Sequence, residues 1–115
     1  MKLQRRILMN RIEVSMIPGG LHPEIHVSKG DNRIVPIVLD EAFTSTDVIT
    51  LHAWLPDSTY QQVEIEHTSG NTLDLVISDS MSDVAGIGLA KINIKNQSAT
   101  KSISSEMMLI VIEDL

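Results

Sequence analysis

Apolar and polar residues alternate along most of this chain, and the alternation is clearest in its middle, between residues 48 and 56. The apolar positions of this stretch are Ile49, Leu51, Ala53 and Leu55. The intervening positions are Thr50, His52 and Trp54. A two-residue period is that of a β-strand with one face in a core. The pattern predicts that truncating Leu51 destabilises the protein, whereas changes at Thr50 or His52 have little effect.

The same period recurs in short segments on both sides of this strand, separated by turn residues such as Gly30 and Gly70. No segment shows a long amphipathic helical pattern. About seven short strands at regular spacing predict an all-β fold, specifically an antiparallel Ig-like β-sandwich. A closed barrel is the alternative. Since aromatic residues are only 3% of the chain, the core is expected to consist of Ile, Leu, Val and Met.

The strongest interruption of the pattern is Pro18-Gly19-Gly20. It divides the chain into an N-terminal extended arm, residues 1–20, and a sandwich domain, residues 21–115. Because every strand that a sandwich requires falls within 21–115, the sequence predicts that the domain folds without the arm.

Charge separates the same two parts. The formal net charge is −6, but Lys2, Arg5, Arg6 and Arg11 lie in the first eleven residues, where no acid occurs. The other residues carry five basic groups and fifteen acids, which gives −10. A basic arm on an acidic body favours contact with an acidic partner or with another copy. The acidic body argues against binding of nucleic acid.

The last predicted strand, residues 106–113, is apolar on both faces, which is typical of a strand covered on both sides. Alternation in the arm supplies a second apolar strand that is able to cover it, in the same chain or in a neighbour. Arginines of the arm would then meet acidic surface on the partner. The predicted interface residues are Arg5, Arg6, Arg11, Ile12, Val14, Met16, Met108, Ile110 and Ile112, together with Trp54, an aromatic on the outward side of its strand.

Candidate chemistry is sparse. His22 and His26 are four residues apart, but on a strand this spacing separates them by about 13 Å, which is too far for one metal ion. Gly86 and Gly88 lack the third glycine and the helix of a dinucleotide-binding loop. Cys is absent. We therefore expect no catalytic site, no cofactor and no metal, and predict that the protein is not an enzyme.

Several stretches together resemble a known family. These are Leu21-His-Pro-Glu-Ile-His-Val-Ser-Lys-Gly-Asp31, the Pro56-Asp57 turn, Leu73-x-Leu75 followed by Met81 and Gly86, and Met107-x-Leu109-x-Val111. They are similar to the N-terminal Ig-like domain of phage baseplate upper proteins, a domain also found in other tail and head-fibre proteins of phages that infect Gram-positive bacteria. The resemblance covers about residues 21 to 113 and leaves out the arm.

This resemblance implies a non-enzymatic virion protein, located on the tail or the capsid. It would serve as an adaptor, a fibre base or a decoration subunit, in contact with other phage structural proteins and present as a homo-oligomer or repeated subunit. No membrane partner is expected. The competing class is a carbohydrate-binding or adhesion module, for which Trp54 and Tyr60 are the available exposed aromatics.

Overall fold

The computed structural model describes residues 11–17, 19, 22–98 and 100–114. Within these ranges the chain forms strands joined by turns and irregular segments, without a helix. The strands are β1 (Ile12–Val14), β2 (Glu24–Ser28), β3 (Arg33–Phe43), β4 (Val48–Trp54), β5 (Tyr60–Glu64), β6 (Gly70–Ile77), β7 (Gly86–Lys95), β8 (Ser102–Ser104) and β9 (Met108–Glu113).

The strands form two sheets packed as a sandwich, so the predicted all-β sandwich is confirmed. The smaller sheet has the order β1-β3-β6. In the larger sheet the order is β2-β9-β7-β4-β5, and β8 also pairs with β7. Two edge pairs, β1 with β3 and β2 with β9, are parallel. Both sheets are therefore mixed, which corrects the expectation of a wholly antiparallel arrangement. Local turns predict hairpins, whereas these two pairs join segments that are distant in sequence.

The core between the sheets is aliphatic, as the composition predicts. Phe43 is its one aromatic side chain among the described residues, and methionine contributes Met16, Met81 and Met108. In β4 the inward positions are those that the alternation predicted, since Leu51 is 1% exposed and its neighbours Thr50 and His52 are half-buried. This strand lies between β7 and β5.

Strand β1, from the predicted arm, is packed into the sandwich. It pairs with β3 from Ile12 opposite Ile37 to Val14 opposite Leu39. Val14 is 1% exposed, and both it and Met16 belong to the same core cluster as the residues of β9. The division of the chain after residue 20 stays a prediction. Because β1 fills part of the core, however, we no longer expect the domain to fold without it.

Two carboxylates fix the end of β1. Asp40 accepts hydrogen bonds from the Met16 backbone N–H at 2.7 Å and from the Ser15 hydroxyl at 2.9 Å. The buried Glu106 carboxylate accepts the Ser15 N–H at 2.8 Å, and the Glu106 N–H donates to the Ser15 carbonyl at 2.9 Å. These bonds connect the segment after β1 to β3 on one side and to the entrance of β9 on the other.

A pH dependence follows from the Asp40 contacts. The Met16 N–H and the Ser15 hydroxyl lower the pKa of Asp40 below its ordinary value of 3.8. A carboxyl whose folded pKa is lowered stabilises the protein above the unfolded value and loses that contribution as the pH falls through the folded value. We expect Asp40→Asn to remove this contribution. The variant should then lose less stability than the wild type between pH ~5 and pH ~3 in urea melts.

The matched control for this experiment is Asp83→Asn, which alters an exposed carboxylate in the turn between β6 and β7. It should retain the acid sensitivity of the wild type. Equal acid sensitivity of Asp40→Asn and the wild type would show that the Asp40 bonds do not stabilise β1.

Candidate functional site: the outer face of the larger sheet

The outer face of the larger sheet carries apolar side chains where polar ones are expected. The register places Leu109 of β9 opposite Leu89 of β7, and Leu89 opposite Trp54 of β4. Trp54 in turn is opposite Tyr60 of β5. Residues in register on neighbouring strands point to the same face. These four side chains therefore form one row that crosses four strands.

A second, shorter row lies beside the first, with Ile87 opposite Val111. Ile87 is 64% exposed, Tyr60 47%, Leu89 41% and Trp54 38%, while Leu109 and Val111 are half-buried. We call this set the apolar band; its members are Trp54, Tyr60, Ile87, Leu89, Leu109 and Val111. Contiguous exposed apolar surface of this kind marks an interaction site more often than single exposed side chains do.

The aromatic end of the band is held in place by its neighbours. The Trp54 and Tyr60 rings have centroids 5.3 Å apart, and His52 stacks on Tyr60 at 6.0 Å. His52 Nδ1 is also hydrogen-bonded to the Tyr60 hydroxyl. The Lys91 ammonium lies 5.9 Å from the centre of the Trp54 ring, within the range of a cation–π contact. These contacts restrict Trp54 before any partner binds.

Burial and the positive charge of Lys91 lower the pKa of His52 below its ordinary value of 6.5. The neutral imidazole is therefore favoured near neutral pH. A neutral His52 is compatible with its stacking contact to Tyr60 and with the Lys91 ammonium nearby.

Two glycines allow β4 and β7 to approach each other under the band. A Cβ added to Gly88 would lie 2.8 Å from the Trp54 carbonyl oxygen, and one added to Gly86 would lie 2.9 Å from Cβ of Pro56. Gly86 also has a backbone φ of 137°, a conformation that residues other than glycine rarely adopt. The Gly-Ile-Gly stretch, which is too short for a nucleotide loop, is therefore explained by close backbone packing.

Opposite charges border the band. On one side lies His26 of β2, whose Nε2 is 2.9 Å from the Glu24 carboxylate and whose Nδ1 is 3.3 Å from the Glu113 carboxylate. The hydrogen bonds to Glu24 and then Glu113 raise the pKa of His26 above 6.5. On the other side, β7 continues from Leu89 to the outward Lys91 and Lys95. The band thus separates an acidic border from a basic one.

The structure places the predicted interface residues in three different settings. Val14, Met16, Met108, Ile110 and Ile112 are buried in the core of their own chain, and Ile12 packs against it. Arg5 and Arg6 lie outside the described residues. Arg11 is exposed beside an opening that Glu66 and Asp74 also line. Trp54 faces outward, as the alternation predicted, and is part of the apolar band. Their role in an interface stays a prediction.

The sequence predicted that the arm pairs with the last strand, β9, and the structure shows a different pairing for the arm strand β1. β1 pairs with β3, whereas β9 lies between β2 and β7. The two strands belong to different sheets, and their buried side chains share one core. On β9, Met108, Ile110 and Ile112 form the buried face, while Leu109 and Val111, and Met107 directly before the strand, stay half-exposed. The second apolar face of β9 is therefore part of the outer surface.

Ile87 and Leu89 were missed as candidate site residues. The signal was present, since the inward row Ala90, Ile92 and Ile94 places Leu89 and Ile87 on the outward side of the same strand. Two apolar residues at successive outward positions of one strand are a stronger sign of a contact surface than a single one. Nothing in the sequence showed that these residues adjoin Leu109 and Trp54.

Chemically, the band and its borders can bind a complementary surface. In the described part of the chain, no group of three or more His, Asp or Glu side chains is arranged to hold a metal ion. Between residues 11 and 114, apart from positions 18, 20, 21 and 99, no helix is long and apolar enough to cross a membrane.

Comparison with known proteins agrees on the class of fold. No family model matches the chain, and no curated protein matches it. Among solved structures, the fold is similar to the N-terminal domain of phage TP901-1 ORF48. The TM-score is 0.61, with 12% sequence identity over 90% of this chain and 98% of that one. The chain is therefore an all-β sandwich with the fold of a phage protein domain.

Proposed function

We propose that this chain is a non-enzymatic structural subunit of a phage particle, held in place by protein–protein contacts through the apolar band. Two observations support a phage origin. The sequence resembles the Ig-like domain of phage baseplate upper proteins, and the fold matches the N-terminal domain of a phage protein along almost the whole of both chains. Within this proposal, the subunit serves as an adaptor, fibre base or decoration protein on the tail or the capsid.

The observation that carries the proposal is the apolar band. It contains two aromatic and four aliphatic side chains, adjacent across neighbouring strands and accessible to a partner. Interfaces are anchored by a few such residues, above all Trp and Tyr, in a patch that excludes water. The smaller sheet offers less, since its outer face exposes Ile34 and Val76 as an opposed pair, with the half-buried Pro36 and Val38 on the same side of β3, and the aromatic Phe43 of that strand is buried.

The competing function, carbohydrate binding, is less well supported by the same residues. A sugar stacks on an open aromatic face, but Trp54 is flanked by Lys91, Tyr60 and His52. Such a packed, restricted ring is better suited to anchor a protein surface, because little side-chain entropy is lost on binding.

The test uses incorporation into particles. The wild-type chain should be found by mass spectrometry in particles purified from a lysate of the strain that carries its gene. Where the variant gene replaces the wild-type gene, an Ile87→Asp chain should be incorporated at least about tenfold less, because an anchoring residue contributes on the order of 2 kcal/mol. Ile34→Asp is the matched control, since Ile34 is 62% exposed and Ile87 is 64%.

Absence of the wild-type chain from purified particles would refute the virion assignment. Equal incorporation of Ile87→Asp and Ile34→Asp would instead show that the apolar band is not the mounting surface. Specific binding to a glycan array, lost in Trp54→Ala, would favour the carbohydrate-binding function.

A further inference from the structure

The charges that border the apolar band are arranged in a self-complementary way. The register places Glu24, Leu109 and Leu89 in one row across β2, β9 and β7. Lys91 follows Leu89 two residues further along β7. Strands are about 4.8 Å apart and two residues of a strand span about 7 Å. The Glu24 carboxylate thus lies one strand beyond Leu109, and the Lys91 ammonium lies two residues beyond Leu89 along β7.

We propose that the partner of the apolar band is a second copy of this chain, bound about a two-fold axis. The inference rests on the proposed function, in which the band is an interface. An axis that lies in the plane of contact, diagonal to the strands, places Leu109 of one copy against Leu89 of the other. The same rotation brings each Glu24 opposite Lys91 of the second copy.

The same axis also matches two further residues of the apolar band. Val111 of one copy comes to lie opposite Trp54 of the other. Val111 is two residues along β9 from Leu109, and Trp54 is one strand beyond Leu89, so the diagonal axis exchanges the two positions. Each apolar contact and each ion pair occurs twice, as an isologous interface requires. The apolar contacts supply most of the affinity, and the two ion pairs fix the orientation.

The charges beside the apolar band favour a second copy of this chain over a basic or a neutral partner. Of the other four cations in the body, Arg33 is paired with Asp31 and Lys101 with Glu41, at 3.0 Å and 2.7 Å, whereas Lys29 and Lys95 form no ion pair within the described residues. Lys91 has no carboxylate within ion-pair distance among the described residues, and its contact is the Trp54 ring. A partner that offers a carboxylate at this position is therefore favoured, and Glu24 of a second copy offers one.

The experiment reverses one charge at a time and measures the molar mass of the full chain by analytical ultracentrifugation. The wild type should be a dimer with a Kd below about 100 µM. Lys91→Glu should weaken dimerisation about tenfold or more, because it opposes two carboxylates at each of the two symmetry-related positions. Glu24→Lys should have the same effect, by opposing two ammonium groups.

The decisive sample is the equimolar mixture of the two variants. Neither variant pairs well with itself. In the mixed dimer, however, the carboxylate introduced at position 91 faces the ammonium introduced at position 24, and the unchanged Glu24 faces the unchanged Lys91. The mixture should therefore dimerise with nearly the wild-type Kd, as should a chain that carries both changes. Lys95→Glu is the matched control. It alters the same charge on the same strand and face, but four residues further from the band, and it should leave the dimer intact.

A wild-type chain that is monomeric at about 100 µM would overturn the proposal, as would a mixture of the two variants that stays monomeric. Circular dichroism of each variant checks that the fold is retained, which is expected because Glu24 is exposed and Lys91 lies on the outer face. Particle incorporation separates this inference from the proposed function. Monomeric chains that still enter particles in an Ile87-dependent manner would refute the two-fold dimer and leave the mounting role intact.

Discussion

A chain that lacks residues 1–20 should lose its cooperative thermal transition. The deletion removes β1, including the buried Val14 and Met16. Each fully buried side chain of this size contributes about 1.5–3 kcal/mol. Their loss, with that of the hydrogen bonds of Ser15 and Met16 to Glu106 and Asp40, is comparable to the total stability of an ordinary domain, about 5–15 kcal/mol.

Point substitutions in β1 and directly after it show how much of this loss comes from buried side chains rather than from shortening the chain. Met16→Ala should lower the free energy of unfolding by about 2–5 kcal/mol, as for other buried methionines. Glu13→Ala, at an exposed position of the same strand, should change it by less than about 0.5 kcal/mol. Urea melts followed by circular dichroism measure both. A truncated chain that melts cooperatively near the wild-type temperature would show that the core closes without β1, in accord with the boundary predicted after residue 20.

Leu51→Ala should produce a comparable loss, about 2–5 kcal/mol. Leu51 is 1% exposed at the centre of β4, opposite Ile92 on one side and Val63 on the other.

Thr50→Ala is the control for Leu51→Ala, since Thr50 points outward from the same strand. It should change the free energy of unfolding by about 0.5 kcal/mol or less. His52, which the alternation predicted to be equally tolerant, is a poorer control, because its ring stacks on Tyr60 and such contacts contribute about 0.5–1.5 kcal/mol. Equal losses at Leu51 and Thr50 would show that the register of β4 is wrong.

The expected results at β1 alter the interpretation of the arm. Replacing Val14 or Met16 by Asp would unfold the protein rather than report on assembly, because both side chains lie in the core. The surface on which assembly can be tested is therefore the outer face of the larger sheet. There Ile87 and Leu89 are exposed, so polar substitutions leave the core intact.

The sequence by itself determined the fold class and the faces of the long strands. Alternation is a local property, fixed by the pleat of each strand, so the inward row of β4 and the outward position of Trp54 follow from neighbouring residues alone. The aliphatic core follows likewise from the composition. The sequence did not show that β1 packs into the core, because Pro18 and Gly19 mark a break in the chain but not on which side of it the packed strands lie.

Only the tertiary structure decided which strands are neighbours. The parallel pairs of β1 with β3 and β2 with β9 join distant segments, and no turn signals them. The same is true of the apolar band, whose residues come from four strands between positions 54 and 111. Each apolar side chain at an outward position was visible in the sequence as a single anomaly. Their union into one surface depends on strand order and register, which long-range packing fixes and local sequence does not.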